Sequence, residues 1–307
     1  MSKRFDRAID GILLLDKPQG MSSNMALQRA RALYRALKAG HAGSLDPLAT
    51  GMLPICFGQA TKVCGYLLNS RKTYRVIARL GVKTDSADAD GAVMETAPVP
   101  TFDAAQATAV LQSFVGAQQQ VPPMYSALKH EGRRLYELAR SGASIERVPR
   151  DIFIEHITLL AHGPDSIEFE VRCSKGTYVR SLVEDVAGRL GTIGHVTLLR
   201  RTQVDPFDAN RMVTLEMLAE MDMAGRDALL QSADVALTTL PVLPLNALRT
   251  TELFHGKPLT GLTEAVAGLW RAYGPDDAGG QRFLGIVRAD GQGRVLAERL
   301  FSPPAGQ

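Results

Sequence analysis

The sequence is poor in the residues that mark several large protein classes. Three cysteines in 307 residues, Cys56, Cys64 and Cys173, form no CxxC pair and are too few and too widely spaced for a disulfide framework. A reducing cytoplasm is the expected compartment. The six histidines are scattered, with no HExxH and no Cys/His pair at zinc spacing, so no metal centre is expected. Neither a GxxxxGK[ST] loop nor a GxGxxG after a strand is present, and no cofactor is expected. The segment Asp88 to Gly91 has the opening spacing of a calcium loop, but Ala97 stands where the bidentate Glu belongs, so it reads as a turn. The first apolar run, Ile12 to Leu15, is far too short for a signal h-region or a membrane span, and no membrane partner is expected.

What is present suits a soluble globular chain. Apolar residues make up 45% and charged residues 22%, with a mean hydropathy of −0.03. The length allows a large core and a second, smaller domain. The net charge of +3 hides an asymmetry: residues 1–80 hold thirteen Lys or Arg against four Asp, and the rest is net acidic. Such a distribution suits either a solvated face or a polyanion-facing one.

Gly11 to Asp16 reads as a buried strand ended by Lys17-Pro18 and Gly20. A helix follows, capped by Ser22 or Ser23, with Leu27, Ala30, Tyr34 and Leu37 at helical spacing. Gly40 to Gly51, rich in glycine and broken by Pro47, reads as a tight loop with neither regular structure. Tyr74, Val76, Ala78 and Leu80 alternate on one face of a strand, as do Ile167, Phe169, Val171 and Cys173 on another. The second strand runs through a turn into a helix beginning near Tyr178 and Arg180 and closed by Gly191. Residues 121–150, opened by proline and basic, suggest a projecting arm. A helical stretch around residues 213–230 leads into a linker over 237–244. Two short strands around Asp290-Gly291 then suggest a small β domain. Strands mixed with helices, without regular βα repetition, favour an α+β fold with a mixed central sheet and flanking helices.

Taken singly, the polar residues of these segments have ordinary readings. Asp46 before Pro47 suits a turn hydrogen bond, Tyr74 suits a core position, and Arg180 suits a pair with Glu184 one helical turn on. Together they carry a pattern. Gly40-His-Ala-Gly-Ser-Leu-Asp-Pro-Leu-Ala-Thr-Gly51 closely resembles the catalytic loop of the TruB family of pseudouridine synthases. Gly11 to Ser23 looks like that family's Lys-Pro motif, and Lys72-Thr-Tyr-Arg-Val76 its tyrosine-bearing strand. Thr84 to Gly91, Pro123 to Lys129, Cys173 to Arg180 and His195 to Arg201 follow in the family's order.

The resemblance implies a pseudouridine-synthase catalytic domain over residues 1–238, with an RNA-clasping insertion at about 121–150. Over residues 245–305 it implies a small β-rich, PUA-like RNA-binding domain. It further implies an isomerase that converts the uridine at position 55 in the T arm of tRNA to pseudouridine. Asp46, Tyr74 and Arg180 would be catalytic, with Arg180 holding Asp46 ionised, and His41, Tyr74, Tyr178 and Leu199 would bind the substrate. Arg29, Arg31, Lys129, Arg133 and Arg134 suit phosphate contacts. The expected partner is tRNA, bound by a monomer without guide RNA, and the family precedent adds help with tRNA folding. A guide-RNA-dependent synthase and a tRNA-folding module without chemistry are the alternatives. The missing long basic extension argues against the first, and the intact Asp46, Tyr74 and Arg180 against the second.

Overall fold

The computed structural model describes residues 5–126, 129–130, 132–135, 138, 145–276 and 278–302. In chain order the strands are β1 (Gly11–Lys17), β2 (Ala39–His41), β3 (Thr50–Phe57), β4 (Lys72–Leu80), β5 (Val82–Thr84), β6 (Val93–Thr96) and β7 (Gly116–Gln120). They continue as β8 (Lys129–His130), β9 (Arg133–Arg134), β10 (Arg150–Gly163), β11 (Ser166–Cys173) and β12 (Gly194–Val204). The last four are β13 (Val242–Pro244), β14 (Gly268–Pro275), β15 (Gln281–Ala289) and β16 (Val295–Leu300). The helices used below are α1 (Ser23–Tyr34), α2 (Cys64–Asn69), α3 (Ala104–Gln112) and α4 (Val179–Arg189). Two short ones follow, α5 (Leu215–Glu220) and α6 (Met223–Ala228).

The central sheet runs β1-β3-β12-β4-β11-β10-β7, with β2 also paired to β3. Its pairs are antiparallel except β3 with β12, so the sheet is mixed, as the sequence suggested. β1 occupies the whole of one edge of β3, from Gly11 opposite Phe57 to Lys17 opposite Gly51. The other edge is shared: β12 meets it only at Thr50 and Gly51, and β2 only at Ile55 to Phe57. The chain between β2 and β3 therefore emerges beside the point where β12 departs, next to β4.

The continuous apolar run of β1 reflects burial on both faces. Leu13 and Leu15 join Leu53, Ile55, Val76 and Phe169 under α1 and α4, whereas Ile12 and Leu14 join Met52, Cys56, Val63 and Leu67 on the other side. Ile286 of β15 also packs into that second core, so the four-stranded sheet β13-β14-β15-β16 leans on the central one. Among the described residues no helix is long and apolar enough to cross a membrane.

Several local expectations change. Leu37 does not extend the α1 stripe: Arg35 turns left-handed after Tyr34, its N–H closing on Ala32 and Arg31, and Leu37 is 52% exposed. The stretch from Gly40 to Gly51 is not all loop, because β2 and β3 claim its two ends. The helix around 213–230 is two short helices, with Asp222 capping the second through Gly225 N–H. Three of the eight residues of the supposed linker form strand β13, which pairs with β14, a strand holding Trp270 that the sequence reading did not find.

Candidate functional site

The chain from Ala42 to Ala49 is irregular, yet it is held at nearly every turn. Ser23, buried in the first turn of α1, accepts from Leu45 N–H at 2.7 Å and donates to the Leu45 carbonyl at 3.0 Å. Gly20 N–H donates to the Pro47 carbonyl at 2.8 Å. Lys17, with no exposed surface, donates its ammonium to the carbonyls of Pro18 and Met21, with Pro47 at 3.4 Å. On the far side Arg201 holds the Gly43 carbonyl at 3.0 Å and that of Met52 at 2.7 Å. Gly51 has φ +99°, and a Cβ there would lie 2.2 Å from the Arg201 carbonyl, so only glycine lets β3 and β12 meet. The Lys-Pro motif and the loop are thus one assembly.

This scaffold presents Asp46. Its carboxylate does not close the local turn, which is the Ala49 N–H to Asp46 carbonyl bond, but meets Arg180 Nε at 2.9 Å. The Asp46 side chain keeps 40% of its surface open, while that of Arg180 keeps only 4%. Burial raises the Asp46 carboxyl above its ordinary value, the Arg180 charge pulls it back, and Asp88 pushes it up again. Arg180 does not turn to Glu184. Its other nitrogens donate to the carbonyls of Ser86 at 2.7 Å and Tyr125 at 2.6 Å, and buried Asp88 lies 3.9 Å from Nε. The arginine is therefore aimed from three sides at one oxygen of Asp46.

Asp88 is a site residue that the sequence reading missed. It belongs to the segment read as a turn, and a turn it is, with Thr84 and Ser86 hydroxyls and Asp90 N–H all bonded to Asp88. No local spacing signals that the turn's buried carboxylate faces an arginine about ninety residues on.

Tyr74 stands on β4 opposite Arg201 of β12, half-buried, while Val76 and Ala78 beyond it are core. Burial raises its phenol, and Arg201 opposes that rise. Tyr178 caps α4 from an extended backbone. Its N–H and carbonyl are clamped by the Gln120 side chain at 2.7 and 3.0 Å, and burial raises its phenol too. Leu199 is buried on β12 opposite Val76. His41 ends β2 with its Nδ1 buried and unpartnered, and burial, then Arg201, lowers its basicity.

The candidate phosphate contacts are less uniform. Arg29 is exposed on α1. Arg31 is engaged, holding the carbonyls of Ala36 and Leu37 at 2.9 and 2.6 Å beyond the end of that helix. The backbones of Lys129, Arg133 and Arg134 form the small hairpin β8-β9, but their side chains lie outside the described residues.

A model of the TruB family pseudouridylate synthase N-terminal domain matches residues 31–179, and one of the tRNA pseudouridylate synthase B C-terminal domain matches residues 180–243. A tRNA pseudouridine synthase B of Chromohalobacter salexigens is 47% identical, over 98% of this chain and 97% of its own. That of Citrobacter koseri is 46% identical over 97% of each. Among solved structures, a chain of a Cbf5–Nop10–Gar1 complex superposes with a TM-score of 0.71 at 22% identity, over 98% of this chain and 86% of that one, a likeness of fold. With near-complete coverage at such identity, the chain belongs to the TruB family of pseudouridylate synthases.

Proposed function

We propose that the protein converts the uridine at position 55 in the T arm of tRNA to pseudouridine, with Asp46 as its essential carboxylate. The observation that carries this reading is the Asp46–Arg180 pair, a half-open carboxylate on a buried guanidinium, with Tyr74 on the neighbouring strand. The tRNA substrate follows the names of relatives that match the chain over nearly its full length.

The reaction breaks the N1–C1′ bond, turns the uracil and rejoins it through C5. A stacked T-loop base is out of reach, so the nucleotide flips out of the stack to meet Asp46. Asp46 supplies the anionic oxygen, and Arg180 keeps it ionised against the cost of burial. Tyr74 stacks on the flipped base and takes the C5 proton, a role worth about 10²–10⁴-fold. Tyr178 and Leu199 line the base pocket. His41, with its free ring nitrogen, supports the RNA where the base has left its stack.

Residues 1–238 act as the catalytic domain, the insertion at about 121–150 clasps the T arm, and residues 245–305 add RNA contacts. Arg29, Arg31, Lys129, Arg133 and Arg134 meet phosphates, and RNA shape gives the specificity. The enzyme works as a monomer on bare tRNA, without guide RNA, and assists tRNA folding as well.

The test is tritium release from 5-³H-uridine-labelled T-arm RNA, without added metal or nucleotide. Wild type should release tritium, and Asp46→Asn should bind the RNA yet release none. Tight binding by both proteins with release by neither would replace the enzyme by a binding module or a protein awaiting a partner.

A further inference from the structure

Two adjacent arginines on β12 have opposite environments. Arg200, about a third exposed, forks onto Asp16 at 2.9 and 2.7 Å. Arg201 is 1% exposed, among the largest fully buried side chains. Among the described residues no carboxylate forms an ion pair with it. A buried guanidinium is ordinarily paired. This one instead spends Nε and one Nη on the carbonyls of Met52 and Gly43, at the two ends of the Asp46-bearing loop. Its remaining Nη sits so close to Gly43 that a Cβ there would come within 3.3 Å.

Across the sheet Arg201 is the direct partner of Tyr74, and its guanidinium acts on that phenol. The other ionisable groups facing the pair are Lys17 on β1, His41 on β2, Asp46 on the loop, Lys72 on β4 and Cys173 on β11. Asp46 is already engaged by Arg180, and Lys72 is turned onto the carbonyls of Leu67, Leu68 and Ser70. Arg201 thus has no carboxylate of its own, and its cross-strand partner, the Tyr74 phenol, is a group able to become an anion beside it.

We propose that Arg201 is a positioning residue that fixes Tyr74 against the Asp46 loop and provides the countercharge for a Tyr74 phenolate as it takes the C5 proton. The inference rests on the reading of Tyr74 as the C5 base. The phenol first releases its proton to water. Once C5 has bonded to C1′, the C5–H bond breaks and the proton passes to the phenolate oxygen. The C5–H electron pair forms the C5=C6 bond, the C6=N1 pair moves to N1, and N1 is protonated from solvent. A phenolate alone in this site is costly, because burial already raises the phenol above its usual value of about 10. Beside an unpaired guanidinium, that cost falls for both groups.

The experiment is single-turnover tritium release and its pH profile, with 5-²H-uridine T-arm RNA in parallel, for wild type, Arg201→Met, Arg201→Lys and Tyr74→Phe. Arg201→Met should be slower by about 10²-fold or more, with RNA affinity within about threefold. Its rate should still climb with pH where the wild-type rate has levelled, and a deuterium effect should grow as C5 deprotonation becomes limiting. Arg201→Lys, which keeps a cation, should recover part of the rate and of the wild-type profile. If Arg201→Met does not fold, Arg201→Lys compared with wild type gives the same two readouts.

A uniform loss of rate with unchanged pH profile and isotope effect would make Arg201 merely structural and overturn the proposal. So would a Tyr74→Phe variant as fast as wild type. Both outcomes leave an active wild-type synthase standing, whereas a wild type that releases no tritium removes the parent reading as well.

Discussion

In the proposed function Asp46 works as an anion, and in so crowded a site its pKa is set by its neighbours. For Asp46 the largest influence is burial, which favours the neutral acid, and the Arg180 guanidinium is the chief opposing one. Rate should therefore rise with pH through an acid limb lying above the ordinary carboxylate range. Replacing Arg180 by Met removes the opposing charge, moves that limb to higher pH and lowers the plateau, while Kd for T-arm RNA changes little. Single-turnover rates from pH 5 to 9 test this, and an acid limb that stays in place would show that Arg180 does not tune Asp46. At this scale the sequence was informative about residue types and poor about partners. Asp46, Tyr74 and Arg180 stood out through three separate motif blocks, and the family resemblance set Arg180 to hold Asp46 ionised, but local spacing alone pointed Arg180 to Glu184, and Asp88 was one more turn aspartate. Ion pairs across about 130 residues leave no periodic trace.

At the scale of the element, the loop between β2 and β3 owes its shape to anchors outside itself. Ser23 is the most separable of them, since its hydroxyl satisfies both backbone groups of Leu45. Ser23→Ala leaves the Leu45 N–H buried without a partner, which should lower stability by about 1–3 kcal/mol. It also loosens the residue just before Asp46, so the catalytic rate should fall more than RNA affinity does. Denaturant unfolding and single-turnover rates read the two effects separately, and a variant with normal rate and stability would exclude the anchor. The strands were the most legible elements. The alternation in β4 and β11 and the apolar run Ile12 to Leu15 within β1 each reported their burial directly. The ends of the 40–51 segment were not legible, because glycine and proline signal a turn even where backbone pairing with β3 and β12 overrides them.

For the whole molecule, buried cations set part of the pH dependence of folding. Desolvation brings the Lys17 ammonium down to about 8, against about 10.4 for an unfolded chain. Below pH 8 both states are charged and the folded one bears the burial cost. Between about 8 and 10.4 the unfolded chain holds more protons, so this contribution to stability rises with pH, by at most about 1.4 kcal/mol per unit. The unfolding free energy of wild type minus that of Lys17→Met should therefore increase from pH 7.5 to 9.5, and parallel curves would show that Lys17 titrates normally. The same lysine joins β1, the start of α1 and the Asp46 loop, so the charge that costs stability also holds the site together.

By itself the sequence determined the class of fold, the strands whose side chains alternate, the family, and the short list from which the site is drawn. These are local properties, carried by residue type at fixed spacing along one segment. The resemblance already set Arg180 to hold Asp46 ionised, but only the tertiary structure decided the contact itself, the placing of Asp88 behind that arginine, and Arg201 against Tyr74 and both ends of the loop. Such meetings depend on how β3 divides one edge between β12 and β2, and strand order across a sheet is fixed by packing among distant segments rather than by any one of them.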